Sequence, residues 1–257
     1  MTEHVKREIS DGVMTLTLQR PEKKNALSGA MYDALSDAVR QADVDASVRV
    51  VLFQGDGDSF TAGNDLADFA HQAGAENSAE SPVHRFIEAI INASKPLVAA
   101  VHGNAVGIGT TMLLHFDLVY LADNARLITP FVRLALVPEA ASSRLLPLRI
   151  GHVRAYAMLA LGEPMEAAAA LACGLANGVV PQGELRKKAR DAALALSKLP
   201  GGSLSQSKRL MRDLQRITAQ AAEEEQLFKE RLKTAEAREA FAAFAERRPP
   251  NFAKLPI

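Results

Sequence analysis

The chain has 257 residues, in which 30 lysines and arginines balance 30 aspartates and glutamates around a single cysteine. A formal charge of zero excludes the general attraction by which basic proteins hold nucleic acid or anionic membranes, so any anionic ligand must be gripped by local groups. The lone Cys173, between Ala172 and Gly174, excludes an intrachain disulfide, fits a reducing compartment and suggests a small packing residue.

In chain order, Met1 to Glu8 is charged and carries no apolar stretch of leader length. Val13 to Gln19 alternates Met14, Leu16 and Leu18 with Val13, Thr15 and Thr17, the period of a half-buried strand. A turn at Arg20-Pro21-Glu22-Lys23-Lys24-Asn25 leads to a predicted helix in which Leu27, Met31, Leu35 and Val39 recur every fourth residue, with Ser28 as N-cap. Arg49 to Phe53 is an apolar, buried strand that ends in a run of glycines and aspartates. His71 to Pro82 is rich in Ala, Gly, Ser, Glu and Asn and reads as a loop or a frayed helix. A helix from Pro82 to Ala93 leads into a strand from Pro96 to Val101, a short apolar helix from Thr110 to Phe116, and a strand from Asp117 to Ala122.

Strands alternating with helices imply parallel pairing and an α/β fold. Strand signals stop near Leu199, where Pro200-Gly201-Gly202-Ser203 reads as a break. The expected division is a core over residues 1–199 and a helical region over 200–257. In the latter, Leu204–Ile217, Ala219–Leu232 and Thr234–Ala245 carry apolar stripes that must pack on the core or on another subunit. The longest apolar stretches are far short of the roughly 20 residues a membrane helix needs, and the C-terminus is not a peroxisomal address, so the expected compartment is cytoplasmic. His84, His102 and His115 are scattered and show no metal-ligand spacing, so the expectation is no metal.

Two short segments, each placed directly after a strand signal, carry the chemistry: Phe60-Thr61-Ala62-Gly63-Asn64-Asp65-Leu66 and His102-Gly103-Asn104-Ala105-Val106-Gly107-Ile108-Gly109. Glycine lets the chain turn sharply and lets a ligand approach the backbone. Two such turns at neighbouring strand ends can aim two free N–H groups at one point, as a reaction that builds charge on a carbonyl oxygen requires. The second is not a dinucleotide fingerprint, because Met112 stands where that motif has glycine.

These segments, with Arg20-Pro21 and Asn25-Ala26-Leu27 before them, Lys95-Pro96 between them and Cys173-Gly174-Leu175 to Val180-Pro181 after them, resemble the crotonase superfamily of enoyl-CoA hydratases and isomerases. The resemblance runs nearly the whole chain. It implies a spiral of ββα units with a C-terminal helical region used in trimer contacts, a homotrimer or dimer of trimers, a coenzyme A thioester as substrate, and no cofactor. It implies an oxyanion hole from the backbone N–H groups of Asn64 and Ile108, the latter at the mouth of a helix expected to begin near Gly109, where N–H groups lack partners. Lys24, Ala26, Leu27, Ala62, Asp65 and Leu66 match positions lining the coenzyme A channel, Phe131 the acyl pocket, and Phe244 and Arg247 positions that reach the nucleotide from a neighbouring subunit. Arg247 and the adjacent Arg248 fit a solvated charged end equally well.

The two glutamates that hydratases of this family use fall, in the same register, on Thr111 and Phe131, neither of which exchanges protons usefully at neutral pH. A carboxylate stands instead in Leu136-Val137-Pro138-Glu139-Ala140-Ala141, at the position of the catalytic base of the peroxisomal-type Δ3,Δ2-enoyl-CoA isomerases. Apolar neighbours Phe131, Leu134, Leu136 and Val137 would desolvate Glu139 and raise its pKa. The resemblance therefore implies an isomerase with Glu139 as its single acid/base. A hydratase or another acyl-CoA lyase or hydrolase is the alternative inside the family, and a non-catalytic acyl-CoA-binding protein the alternative outside it. Asp117 reads as structural, and Arg133 and Arg144 as lining the pocket mouth or facing water.

Overall fold

The computed structural model describes residues 2–65 and 81–255. The expectations for Leu66 and for residues 71–80 of the polar loop lie outside the described residues.

Strands β1 (Val5–Ser10) and β2 (Val13–Leu18) form an antiparallel hairpin, and β2 pairs in parallel with β3 (Val50–Gly55). Parallel pairing continues through β4 (Leu97–Val101). A short strand β5 (Asn104–Val106) then leaves the main sheet, to which the chain returns in β6 (Leu118–Ala122). Strands β7 (Arg126–Ile128) and β8 (Met165–Glu166) join β5 in a small second sheet, and β9 (Gly178–Val180) closes the order β1-β2-β3-β4-β6-β9. Expectation and structure agree on parallel α/β architecture.

The sheet is covered on both faces, which explains why Val50 to Phe53 reads as an unbroken apolar run. Val51 and Phe53 face one core with Met14, Leu16, Leu18, Leu97 and Ala99. That core is closed by helices α1 (Gly29–Val44) and α2 (Pro82–Asn92), through Met31, Leu35, Val39, Phe86 and Ile90. Val50 and Leu52 face the other core with Val13, Val98 and Ala100. Ser28 caps α1 as expected, its side chain accepting from the Met31 N–H.

After β5 comes α3 (Ile108–Thr111), which tightens into a 3-10 turn over Met112–His115 instead of the single helix expected from Thr110. Helices α4 (Ser142–Ile150), α5 (His152–Leu161) and α6 (Ala167–Ala172) precede α7 (Gln182–Ser197), which covers the second sheet face through Leu185, Ala189 and Ala193. The C-terminal helices are α8 (Gly201–Leu210), α9 (Leu214–Leu232) and α10 (Ala235–Ala245).

One strand has no counterpart among the expectations, and two expectations are corrected. Residues 5–10 form a strand that gives no sequence signal, because β1 is an edge strand and five of its six residues are exposed, so no apolar alternation arises. Pro200 is the N-cap of α8 and both glycines lie in its first turn, so they do not break the chain. The helix expected to run from Leu204 to Ile217 stops at Leu210, because the Asp213 side chain accepts from the Arg216 N–H and starts α9 there. Of the expected stripes, Ile217 and Phe228 pack on the main core, whereas Leu210, Leu227 and Phe244 are exposed.

Asp117 is structural, as expected: it accepts from the Leu97 N–H and pairs with Lys208 at 2.8 Å, tying the start of β4 to α8.

Candidate active site

The two glycine turns are zipped together by main-chain bonds. Phe60 N–H donates to His102 O, Thr61 N–H to Asn104 O, and Val106 N–H back to Thr61 O at 3.0 Å. Gly63 sits at φ +87°, and a Cβ added there would stand 2.8 Å from Val106 O. Any side chain would wedge the turns apart, so glycine is required by close approach as well as by conformation.

Around Asn64 the N–H groups are nearly all used. Ala62 donates to Lys24 O, Gly63 to Thr61 Oγ1, and Asp65 to Leu27 O. The Asn64 N–H donates to none of the described residues. In the second turn Gly107 N–H donates to Ile128 O, and those of Thr110 and Thr111 donate to Gly107 O; the Ile108 N–H, like that of Gly109 after it, has no acceptor among the described residues. The sequence thus leaves one amide open at each position singled out for the oxyanion hole. Ile108 is fully buried, and the Asn64 side chain is pinned by Tyr32, whose hydroxyl donates to Asn64 Oδ1.

Glu139 lies on the turn between a 3-10 segment (Val132–Leu134) and α4, and is 5% exposed. Its Oε1 has no hydrogen-bond partner among the described residues. Burial, and secondarily the charge of Glu224, push its carboxyl up to about 8. Phe131 and Leu136 are buried beside this segment, in line with the desolvation expected of them. Tyr32 is also buried, and its phenol is raised well above the usual value by burial and then by the Glu139 charge.

The turn carrying Glu139 is held in an uncommon conformation. Ala140 and Ala141 both have left-handed backbone, at φ 59° and 55°. His115 donates from Nε2 to Ala140 O at 2.7 Å, while its Nδ1 accepts from Arg212 at 3.1 Å, which fixes the neutral tautomer with its proton on Nε2. Burial depresses His115 to about 3, against the opposing pull of the Ala140 carbonyl and with the help of Arg212, Arg149 and Lys208. A histidine depressed in the folded state contributes stability that is present above its unfolded pKa and lost as pH falls. Guanidinium titrations should therefore show progressive destabilisation from about pH 6.5 towards 3, and His115→Gln, which can still donate to Ala140 O, should flatten that limb. An equal acid loss in both proteins would exclude His115 as its source.

The other positions divide. The bridge between Leu27 and Asn64 joins Lys24, Ala26 and Leu27 to Ala62, Asn64 and Asp65 as one surface. Arg20 fastens it, pairing with Asp65 at 2.6 Å and donating to Ala26 O. Lys24 is exposed and pairs with Asp58. Phe131 is buried. Phe244 is 62% exposed at the far end of α10 and Arg247 is exposed nearby, with Arg248 drawn instead to Glu239 at 2.6 Å. Arg133 is exposed and donates to Leu161 O. Three histidines occupy three separate environments, His84 with Glu225, His102 with Gly57 O, and His115 as above.

Tyr32 and Glu224 escape sequence reasoning. Glu224 sits in a run of three glutamates that reads as a solvated face, yet it falls on the buried stripe Ile217, Ala221, Glu224, Phe228 of α9. That spacing is the signal that could have found it.

Residues 8–254 match the enoyl-CoA hydratase/isomerase family. The chain is 35% identical over 244 residues to enoyl-CoA delta isomerase 2 of Rattus norvegicus, covering 93% of this chain and 62% of that protein. It is 32% identical to the 2,3-dehydroadipyl-CoA hydratase of Escherichia coli, covering 93% and 94% of the two chains. The crystal structure of an enoyl-CoA hydratase/isomerase from Pseudoalteromonas atlantica superposes with a TM-score of 0.93 at 41% identity, over 97% of this chain and all of that one. A parallel α/β core with a helical C-terminal region and two interlocked glycine turns defines a crotonase-fold protein. The chain belongs to the enoyl-CoA hydratase/isomerase family. It spans about three fifths of the rat isomerase's length.

Proposed function

We propose that this protein is a Δ3,Δ2-enoyl-CoA isomerase in which Glu139 is the single acid/base. The observation that carries the reading is a buried carboxyl, raised to about 8, in a fold that leaves the N–H groups of Asn64 and Ile108 open at the paired turns. The C2 hydrogen of a 3-enoyl thioester is acidified by the carbonyl and the neighbouring double bond. The Glu139 carboxylate removes it, the C2 electron pair moves into the dienolate, and the negative charge rests on the thioester oxygen beneath the two amides. The protonated Glu139 then returns a proton at C4, which shifts the double bond into conjugation and restores the carboxylate. A pKa near the working pH suits a group that must both take and give a proton.

Thr111 and Phe131, standing where the family's hydratases carry glutamates, support isomerisation over hydration. Lys24, Ala26, Leu27, Ala62 and Asp65 are taken as the coenzyme A surface. Phe244 and Arg247 would act across a trimer, a role their exposure allows. Among the described residues no helix is long and apolar enough to cross a membrane.

The direct test is 3-hexenoyl-CoA incubated with protein while the conjugated-enoyl absorbance is followed. Growth of that band supports the reading, and a flat trace at saturating protein ends it. Hydration of crotonyl-CoA that survives Glu139→Gln would point to a hydratase with another base.

A further inference from the structure

Glu224 is a second buried carboxylate, delivered from α9 to the segment that carries Glu139. It is 3% exposed. Its Oε1 accepts from the Ser143 N–H at 2.9 Å and from the Ser143 hydroxyl, while its Oε2 has no partner among the described residues. The Ser143 N–H belongs to the first turn of α4, whose own N-cap, Ala141, has no side-chain acceptor to offer. The helix cap is supplied from another element.

Glu139 immediately precedes the strained pair Ala140 and Ala141, and Ser142 N–H bonds back to Glu139 O. Each left-handed alanine costs on the order of 1–2 kcal/mol, so this turn persists only if its surroundings hold it. His115 holds one side at Ala140 O and Glu224 holds the other at the Ser143 N–H and hydroxyl.

A neutral glutamine could accept the same bonds, and burying an anion is costly, so the charge calls for its own explanation. Both carboxyls are raised by burial and each has one oxygen without a partner among the described residues, but Glu224 is pulled back by its Ser143 donors whereas Glu139 is not. Two carboxyls in environments that separate them divide the roles of held anion and proton carrier. The other groups near the pair do not supply that charge. Tyr32 from α1 is a neutral phenol, and His115 is neutral with Arg212 behind it. On the outer side, Glu225 is paired with His84 from α2, and Arg231 is paired with Glu236 while donating to Ala135 O.

We infer that Glu224 is a positioning residue for the isomerisation: it clamps the start of α4 so that Glu139 faces the substrate, and its negative charge keeps Glu139 basic enough to act. This inference rests on the isomerase reading above.

The test compares native protein with Glu224→Gln, which keeps the acceptor and removes the charge. Isomerisation of 3-hexenoyl-CoA is followed across pH, and the carboxyl carbon of Glu139 is titrated by 13C NMR with Glu139→Gln for assignment. In Glu224→Gln, kcat should fall about 10- to 100-fold with KM little changed. The acid limb of the profile and the Glu139 titration should both move down by roughly one pH unit. An unmoved titration and profile would leave Glu224 a helix cap only and overturn the inference. Native protein that fails to isomerise would sink the functional reading instead, and the NMR titration would still decide the present one. If Glu224→Gln does not fold, Ser143→Ala removes one donor and should move the Glu139 titration the same way by less; no movement there would also overturn it.

Discussion

Glu139→Gln is expected to cripple isomerisation, with kcat for 3-hexenoyl-CoA lowered by about 10²- to 10⁴-fold. The size follows from the arrangement. A glutamine of nearly the same shape fills the same buried site, so coenzyme A binding and KM should change little. What is lost is a group able to take a proton from C2 and return one at C4. The neighbouring groups are otherwise engaged: Tyr32 is a phenol raised well above its usual range, His115 is locked as a neutral donor to Ala140 O, and Glu224 is bonded to the Ser143 N–H and hydroxyl. The open amides of Asn64 and Ile108 remain, so the variant should still bind thioesters and polarise them. Retained activity would move the base elsewhere.

The same substitution is expected to stabilise the fold at alkaline pH. Glu139 titrates at about 8 in the folded chain against 4.5 when exposed. A carboxyl whose folded pKa is raised contributes stability that is fully present below the unfolded value and is lost as pH rises through the folded value. The native protein should therefore lose stability between about pH 4.5 and 8 relative to Glu139→Gln, which has nothing to ionise there. With each pKa unit worth about 1.4 kcal/mol, the gap above pH 8 is on the order of 5 kcal/mol. Guanidinium denaturation of both proteins at pH 5 and 9 measures it directly. Parallel curves would mean that Glu139 ionises freely, which is incompatible with a dry site. The buried carboxyl is thus held at the expense of stability.

The parts of this structure that announce themselves in sequence are those fixed by local pattern. The double-faced burial of β3 writes Val50 to Phe53 as a continuous apolar run, and α1 shows both its four-residue stripe and its serine cap. The glycine turns are legible because close backbone approach, as at Gly63 beside Val106 O, admits only one residue type. The edge strand β1 is silent because it has too little burial to pattern. The double glycine after Pro200 misleads because it reads as a break, whereas Pro200 is the N-cap of α8 and both glycines lie in its first turn.

The site divides in the same way. Glu139 can be picked out by register within one loop, and its burial follows from apolar neighbours a few residues away. The groups that hold its segment come from distant parts of the chain: His115 from the turn after α3 and Glu224 from α9, while Tyr32 of α1 holds Asn64 in the facing turn. Long-range partnership leaves no spacing to read. Only the stripe position of Glu224 hints at it.

The central claim is that one carboxyl, sealed from water, carries the proton from C2 to C4. It is tested most directly by giving native protein 3-hexenoyl-CoA deuterated at C2, in ordinary water, and locating the label in the earliest product. The account predicts deuterium at C4, transferred by Glu139 before it exchanges with solvent. Conversion that proceeds with C4 carrying only solvent hydrogen from the first turnover would contradict it.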